Sequence, residues 1–374
     1  MRVAVVSHDT FWPLKGGGGI RVYWVVKNMI SRDHRVTVIA PFLNTEGMPE
    51  DVGSVIPMSI GRITRFVSRK EWIYVCMICR VFFRLLFHRF DVIYAHNIVA
   101  AFPAVLIGRL KRIPVVFDMD DLLTGYSKNP AVYHLGPKLE QWAAKKAAVT
   151  IVPSSYTNQW CASRGIGNTL IVRHGVDLDL FKPAEAARKY IAFTGGIEVN
   201  DGVLLIPEAA EIILKHFPDI RFLLVGEGKA VGPLRKKVQE LGLTSCFDIR
   251  GWTRQTDIPD LLARSYVGLI TSLKASATEF SSPLRAYEYM AMALPYAASD
   301  LQGIAEQVRE SRAGLLFQNG DSGALAKAVL TLLNDEKMRQ SMGQNGRAFA
   351  EKYCDWRKNA GDIVAICEEA ARPD

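Results

Sequence analysis

The chain has 374 residues, too many for one ordinary hydrophobic core, so two domains are expected. Its composition, 49% hydrophobic with no low-complexity segment, excludes a disordered linker or tail protein. The net charge of +8 belongs to the first half alone: residues 1–185 carry 23 Lys+Arg against 14 Asp+Glu, and residues 186–374 carry 23 against 24.

Met1 to Val6 reads as an immediate strand with no charged-then-apolar leader, so no secretory signal is expected. The six cysteines are scattered, which fits a reducing cytoplasm rather than a disulfide framework. Cys76-x-x-Cys79 lies inside an apolar helical run without a second Cys or His pair, so a core or membrane-facing role is favoured over metal or redox chemistry.

In chain order, Val3 to Ser7 is a strand, Gly16 to Gly19 a loop, Ile20 to Ile30 a helix and Arg35 to Ala40 a strand. Trp72 to Phe87 is an apolar run interrupted by Arg80 and Arg84, with Arg62, Arg65, Arg69, Lys70 and Arg89 around it. The interruptions make it a poor transmembrane span, but basic residues flanking Trp, Phe and Leu suit an anionic bilayer surface. Nucleic acid is not expected as a partner, because the cations interleave with aliphatic bulk. Val92 to Ala95, Val115 to Phe117, Val149 to Val152 and Leu170 to Val172 continue as buried parallel strands. His174-Gly175-Val176-Asp177 is a turn and Lys182 to Glu185 a linker.

The series restarts with strands at Tyr190 to Thr194, Arg221 to Val225, Phe247 to Ile249, Val267 to Thr271 and Tyr296 to Ala298. Helices are expected at Val203 to His216, Pro283 to Ala293, Gly303 to Arg309, Ser322 to Leu333 and Lys337 to Tyr353. The fold class is therefore α/β: two doubly wound, Rossmann-like domains, residues 1–183 and 184–352, facing each other across a cleft. Ligands in such sheets bind beyond the carboxyl ends of the strands.

Four stretches have chemistry suited to those ends. Gly16, Gly17, Gly18 and Gly19 follow the first strand; they lack dinucleotide or ATPase spacing and read as a cleft-lining loop over a diphosphate or sugar, or as a plain loop. Asp118-Met119-Asp120-Asp121 ends a strand. Its carboxylates suit a metal on a diphosphate, charge stabilisation at an anomeric carbon without metal, or helix capping by Asp120 or Asp121. Gly195-Gly196 is a sharp turn at the second sheet's mouth, and Trp252 can stack on a base. Finally, Phe280, Ser281 and Ser282 run into a helix with Pro283 in its first turn, followed by Leu284, Arg285 and Glu288. Free N–H groups there, with Arg285 and with Glu288 as diol acceptor, make a seat for a nucleotide-sugar. His8 and His96 lie at strand ends of the first domain and can reach the cleft.

Taken together, these pieces resemble the retaining GT-B glycosyltransferases of family 4 over nearly the whole chain. The resemblance rests on Gly16 to Gly19, His174-Gly175-Val176-Asp177 with Phe181 and Pro183, Val225 to Gly228, and Ser282 to Ala291 with Leu294-Pro295. It implies transfer of a hexose from a nucleotide-sugar, UDP- or GDP-linked, to a glycan or lipid-linked acceptor in polysaccharide or glycolipid synthesis. Anomeric configuration would be retained, with no metal or other cofactor. It also implies that residues 353–374 form a helix crossing back onto the first domain, and that the enzyme is cytoplasmic and peripheral on the inner membrane face.

By the same resemblance, Glu288 matches the glutamate that holds the ribose, Ser281 to Leu284 match the loop that holds the diphosphate and sugar, and Trp252 borders the base. Asp120 matches a position often taken by a histidine near the reacting centre, flanked here by Asp118 and Asp121. Three departures stand out. Phe280 falls where the family's first glutamate belongs, with Glu279 one residue off register; Gly196 and Asp201 fall near its diphosphate-binding Arg and Lys; Arg285 is the replacement cation. The missing pair also leaves open a non-catalytic nucleotide-sugar-binding or partner-activating protein.

Overall fold

The computed structural model describes all residues except 15, 42–47, 49–53, 59–69, 121, 123–129, 276–277 and 373–374. The chain divides into two compact units, one of Met1–His174 with Trp356–Asp374 and one of Gly175–Asp355. Each is built on a fully parallel sheet.

Unit 1 contains strands β1 (Arg2–Ser7), β2 (Arg35–Pro41), β3 (Ser54–Met58), β4 (Val92–His96), β5 (Val115–Asp118), β6 (Val149–Val152) and β7 (Thr169–Ile171). Their order is β3-β2-β1-β4-β5-β6-β7. Runs such as Val3–Val6 and Val92–Ala95 are almost solvent-free because helices cover both faces. The helices are α1 (Gly17–Ser31), α2 (Lys70–Phe87), α3 (Asn97–Lys111), α4 (Pro130–Lys146) and α5 (Ser155–Ala162). The last helix of the chain, Trp356–Ala370, also belongs to this unit, burying Trp356, Ile363, Val364 and Cys367. Ser154 caps α5 by accepting from the Thr157 amide, and Lys111 donates to the carbonyls of Leu85, Leu86 and His88, closing the end of α2.

Unit 2 contains β8 (Tyr190–Thr194), β9 (Arg221–Val225), β10 (Phe247–Arg250), β11 (Ser265–Ile270), β12 (Tyr296–Ser299) and β13 (Gly314–Phe317), ordered β10-β9-β8-β11-β12-β13. Its helices are α6 (Leu205–Leu214), α7 (Val231–Glu240), α8 (Ile258–Ala263), α9 (Leu284–Ala291), α10 (Gln302–Ser311), α11 (Ser322–Asn334) and α12 (Glu336–Tyr353), which makes Trp356–Ala370 α13. Apolar clusters fill both faces: Tyr190, Leu223, Tyr289 and Met290 on one, Ile191, Phe193, Phe222 and Leu325 on the other. Tyr289 pins α9 to the sheet; its hydroxyl accepts from the Thr194 amide and donates to the Leu269 carbonyl. Gly268 is required beneath it, since any Cβ there would enter the Tyr289 ring.

Two local readings are corrected. Gly17, Gly18 and Gly19 form the first turn of α1 rather than a loop, and only Gly16, at φ 90°, lies outside it. They are small because α1 presses on the segment after β1: a Cβ on Gly19 would strike the Thr10 carbonyl, and one on Gly18 would strike Asp9 and His96. Pro283 precedes α9 in extended conformation, at φ −64° and ψ 132°, and Leu284 is the first helical residue.

Candidate functional site

In unit 1, the carboxyl ends of β1, β4 and β5 bring His8, Asp9, His96, Asp118 and Asp120 together, and Arg21 and His174 join them. Asp118 lies under the surface. Both its oxygens are taken by the Arg21 guanidinium, at 2.7 and 2.9 Å, and both side chains are fully buried. The Tyr94 hydroxyl also donates to Asp118, and His96 Nδ1 lies 3.3 Å away. Arg21 further donates to the Val172 carbonyl. Burial works against both charges, but mutual attraction holds Asp118 well below the usual carboxylate range and raises Arg21. Asp118 is therefore tied into the framework, with no surface left in solvent. Asp121 lies outside the described residues.

Asp120 is the carboxylate left at the mouth. Its Oδ1 lies 2.8 Å from His174 Nε2 and its Oδ2 lies 3.7 Å from His96 Nε2. Burial opposes its ionisation, yet His174, His96 and Arg21 together lower its pKa. Asn359 of α13 donates to the backbone carbonyls of Arg173 and His174, and the Trp356 ring meets the His174 ring edge-on. For His96, burial disfavours the charge, but Asp118, Asp9 and Asp120 push its pKa up to about 10. It is an imidazolium at neutral pH. Sequence reasoning missed Arg21, Tyr94 and His174 as members of this group. The signal for Arg21 was present: it falls on the buried face of α1, between Ile20 and Val22, where a cation needs a buried partner.

In unit 2 the sheet order reverses between β8 and β11, which opens a crevice at the carboxyl end of β8. Gly195, at φ 114°, turns the chain there, and the Arg285 guanidinium from α9 lies against it. Arg285 sits 4.3 Å over the Phe193 ring and donates to Asp201 at 3.0 Å. Its Nη1 is buried with no hydrogen-bond partner among the described residues. Gly196 is exposed beside Asp201, and Trp252 is exposed after β10. Glu288, three residues beyond Arg285 and on the same helical face, is only partly exposed. Burial pushes its carboxyl up to about 7, against the pull of Arg285 and a hydrogen bond with Gln255.

The loop before α9 is partly committed to structure. The Ser282 hydroxyl bonds Tyr287 at 2.9 Å and Gln307 at 3.0 Å, so its side chain braces the loop. Ser281 and Phe280 turn their carbonyls toward Gly303 of α10, where a Cβ would not fit. Glu279 accepts from the Gln302 amide at the start of α10 and pairs with Lys274 at 3.1 Å. Among the described residues no group of three or more His, Cys, Asp or Glu is arranged to hold a metal.

Comparison with known proteins agrees with this architecture. Residues 15–180 match the model of glycosyltransferase family 4, and residues 188–335 match that of glycosyl transferases group 1. The chain is 24% identical to phosphatidyl-myo-inositol mannosyltransferase of Mycobacterium leprae, over 99% of this chain and 97% of the relative. Among solved structures, sucrose-phosphate synthase from Thermosynechococcus elongatus superposes with a TM-score of 0.82 at 17% identity, over 99% of this chain and 98% of that one. Anabaena HepE in complex with UDP-glucose gives 0.79 at 18% identity, over 99% and 100%. With both halves of the chain matched and the fold shared with these enzymes, the protein belongs to the group 1, family 4 glycosyltransferases of GT-B fold.

Proposed function

We propose that the protein transfers a hexose, with retention of configuration and without a metal, from a UDP- or GDP-sugar to a glycan or lipid-linked acceptor. The observation that carries the donor half is the pairing of Arg285 and Glu288 on one face of α9, at the switch point of unit 2. A diphosphate needs a cation, and Arg285 has a buried nitrogen with no hydrogen-bond partner among the described residues, on a guanidinium held in place by Phe193 and Asp201. A ribose diol needs an acceptor, which the Glu288 carboxylate supplies. Trp252 and the backbone from Ser281 to Leu284 complete the donor seat in this reading. The HepE complex supports a uridine nucleotide, and the mycobacterial relative supports a lipid-borne acceptor.

On the acceptor side, Asp120 is the charge available to offset a developing oxocarbenium ion. The departing phosphate then takes the acceptor proton, and the protein contributes position and field. A metal on Asp118-x-Asp120 is disfavoured, since both Asp118 oxygens are occupied by Arg21. Calorimetry with UDP, GDP and their nucleosides tests the donor reading. Arg285→Ala is expected to lose at least tenfold more in nucleoside diphosphate affinity than in nucleoside affinity, the weight of a hydrogen bond to a charged group. The smaller nucleoside loss comes through Glu288, whose carboxyl Arg285 holds down. Equal losses for both would remove Arg285 from the diphosphate, and no nucleotide binding by the unaltered protein would overturn the reading.

We also place the protein on an anionic membrane surface, at the cytoplasmic face. No described helix is long and apolar enough to cross a membrane. The outer face of α2 presents Val75, Cys79, Phe83 and Phe87 at four-residue spacing, all exposed, with Phe87 76% accessible. Arg80 and Arg84 run alongside. Arg62, Arg65 and Arg69 fall outside the described residues, and the Lys70 side chain is not described. Arg80→Glu with Arg84→Glu is expected to reverse two of the surface charges and cut binding to phosphatidylglycerol vesicles more than tenfold, at about 1 kcal/mol per cation removed. Unchanged sedimentation with vesicles would leave α2 as an ordinary covering helix.

A further inference from the structure

Unit 1 has a switch point of its own. The chain leaves β1 toward β2 and leaves β4 toward β5, so the loops after β1 and β4 part and a crevice opens between them. Asp9 follows β1 and His96 closes β4, and they meet across it, Asp9 Oδ2 lying 3.2 Å from His96 Nε2. His96 is fully buried, whereas the Asp9 side chain keeps 30% of its surface in solvent. The first turn of α1 presses on the pair at Gly18, where no side chain fits.

Next to Asp9, the buried Nδ1 of His8 lies 3.6 Å from Asp9 Oδ2, with no hydrogen-bond partner among the described residues. Burial lowers the His8 pKa, so it stays neutral and can donate or accept at a polar ligand. Among the described charged groups here, none is left for an anion. The His96 imidazolium faces Asp9, Asp118 and Asp120 at 3.2, 3.3 and 3.7 Å. Arg21 is spent on Asp118, and His174 lies on Asp120. A phosphate entering this crevice would meet two carboxylates at its rim and no uncommitted cation among these groups.

We infer that Asp9 is an acceptor-binding carboxylate, taking hydroxyl groups of an uncharged glycosyl or polyol terminus, and that this mouth rejects a phosphorylated one. This rests on the glycosyltransferase reading for the role of the bound molecule, and on the geometry of unit 1 for the binding itself. Asp9, two residues beyond the end of β1, supplies Oδ1, the oxygen not turned to His96 and His8; its Oδ2 is buried against the histidines. His8 adds a neutral donor or acceptor beside it, and the wall of α1 closes the far side.

The test is direct binding, by calorimetry or ligand-observed NMR. The uncharged probes are octyl glucoside, octyl mannoside and myo-inositol; the anionic probes are glucose 6-phosphate and myo-inositol 1-phosphate. The unaltered protein is expected to bind at least one uncharged probe and neither phosphate. Asp9→Asn is expected to weaken that probe about tenfold or more, the weight of a hydrogen bond to a charged group, with UDP binding unchanged. Phosphates binding as tightly as the uncharged probes, no uncharged probe binding, or an unchanged affinity in Asp9→Asn would each overturn the assignment. The comparison of probes on the unaltered protein decides even if the variant fails to fold. UDP titration of the same samples separates the two readings, since glycoside binding without nucleotide binding would sink the donor site and leave Asp9 standing.

Discussion

Replacing Glu288 by Gln is expected to stabilise the folded chain at pH 8 while removing most of its affinity for a nucleoside diphosphate. The two effects have one cause. Burial lifts the Glu288 carboxyl from its ordinary 4.5 to about 7 in the folded protein. Between those values the native state binds more protons than the unfolded state, so stability falls as pH rises through this window, and the full cost is present above pH 7. For a partly exposed group that cost is about 1–3 kcal/mol, which Gln avoids because it cannot ionise. In the proposed donor seat, by contrast, the ribose hydroxyls donate to the ionised carboxylate. Two such bonds at about 1.5–3 kcal/mol each make a loss of at least 100-fold the expectation. Affinity of the unaltered protein is then flat above pH 7 and falls about tenfold per unit below it, whereas the Gln variant shows no such dependence. Thermal melting at pH 8 and calorimetry from pH 5.5 to 8.5 check both halves. A variant that melts lower and still binds UDP would place Glu288 in the framework and leave the ribose unassigned.

How much of this was legible depends on whether a residue acts through its own chain neighbours or through the fold. The strands were readable because a parallel sheet covered on both faces needs short, continuous apolar runs, and Tyr190–Thr194, Arg221–Val225 and Val149–Val152 appear with the bounds expected. Helix α3 was not anticipated. Its sequence, Asn97–Lys111, is apolar all round and contains Pro103, so it lacks a 3.6-residue pattern. β3 and β13 were missed as well: Pro57 interrupts the first run, and Gly314 opens the second, residues that weaken a strand pattern.

The position of α9 at a sheet mouth followed from its sequence, but the roles of its loop did not. Ser282 is bonded to Gln307 and Glu279 to the start of α10, partners more than twenty residues away that no local spacing reveals. Asp201 is instructive. In the sequence it marks a missing cation; in the fold it holds Arg285, through a 3.0 Å bond. The cluster in unit 1 shows the same limit more strongly. Asp118, Asp120 and Asp121 look equivalent along the chain, yet Asp118 is the last residue of β5 and Asp120 lies two residues beyond it, where the chain has left the sheet. The fold accordingly buries Asp118 completely on Arg21 and leaves Asp120 against two histidines.

That difference makes the second large prediction. Asp118→Asn is expected to damage stability first, and Asp120→Asn to damage transfer first. Removing the Asp118 charge leaves Arg21 fully buried without its counter-ion, beside a His96 that has also lost one carboxylate. Breaking a buried pair from one side costs about 3–5 kcal/mol, because the remaining charge has no solvent to return to. For a unit of this size, that lowers the melting temperature by about 10 °C. Asp120 is different. Its amide replacement keeps the hydrogen-bonding shape toward His174, and His96 retains Asp9 and Asp118, so the melting temperature should move by only a few degrees. The loss there is of a negative charge at the mouth, worth a 100-fold or larger fall in transfer if it faces the developing positive charge of the sugar. A rescue separates the cases further. Arg21→Met combined with Asp118→Leu removes both buried charges together, and should recover much of the stability lost by Asp118→Asn, as exchange of a buried pair for apolar groups often does. Differential scanning calorimetry of the three variants, with donor turnover measured on those that remain folded at 25 °C, decides between them. An Asp118→Asn protein that melts with the unaltered chain but transfers no sugar would return Asp118 to the chemistry and take Arg21 with it.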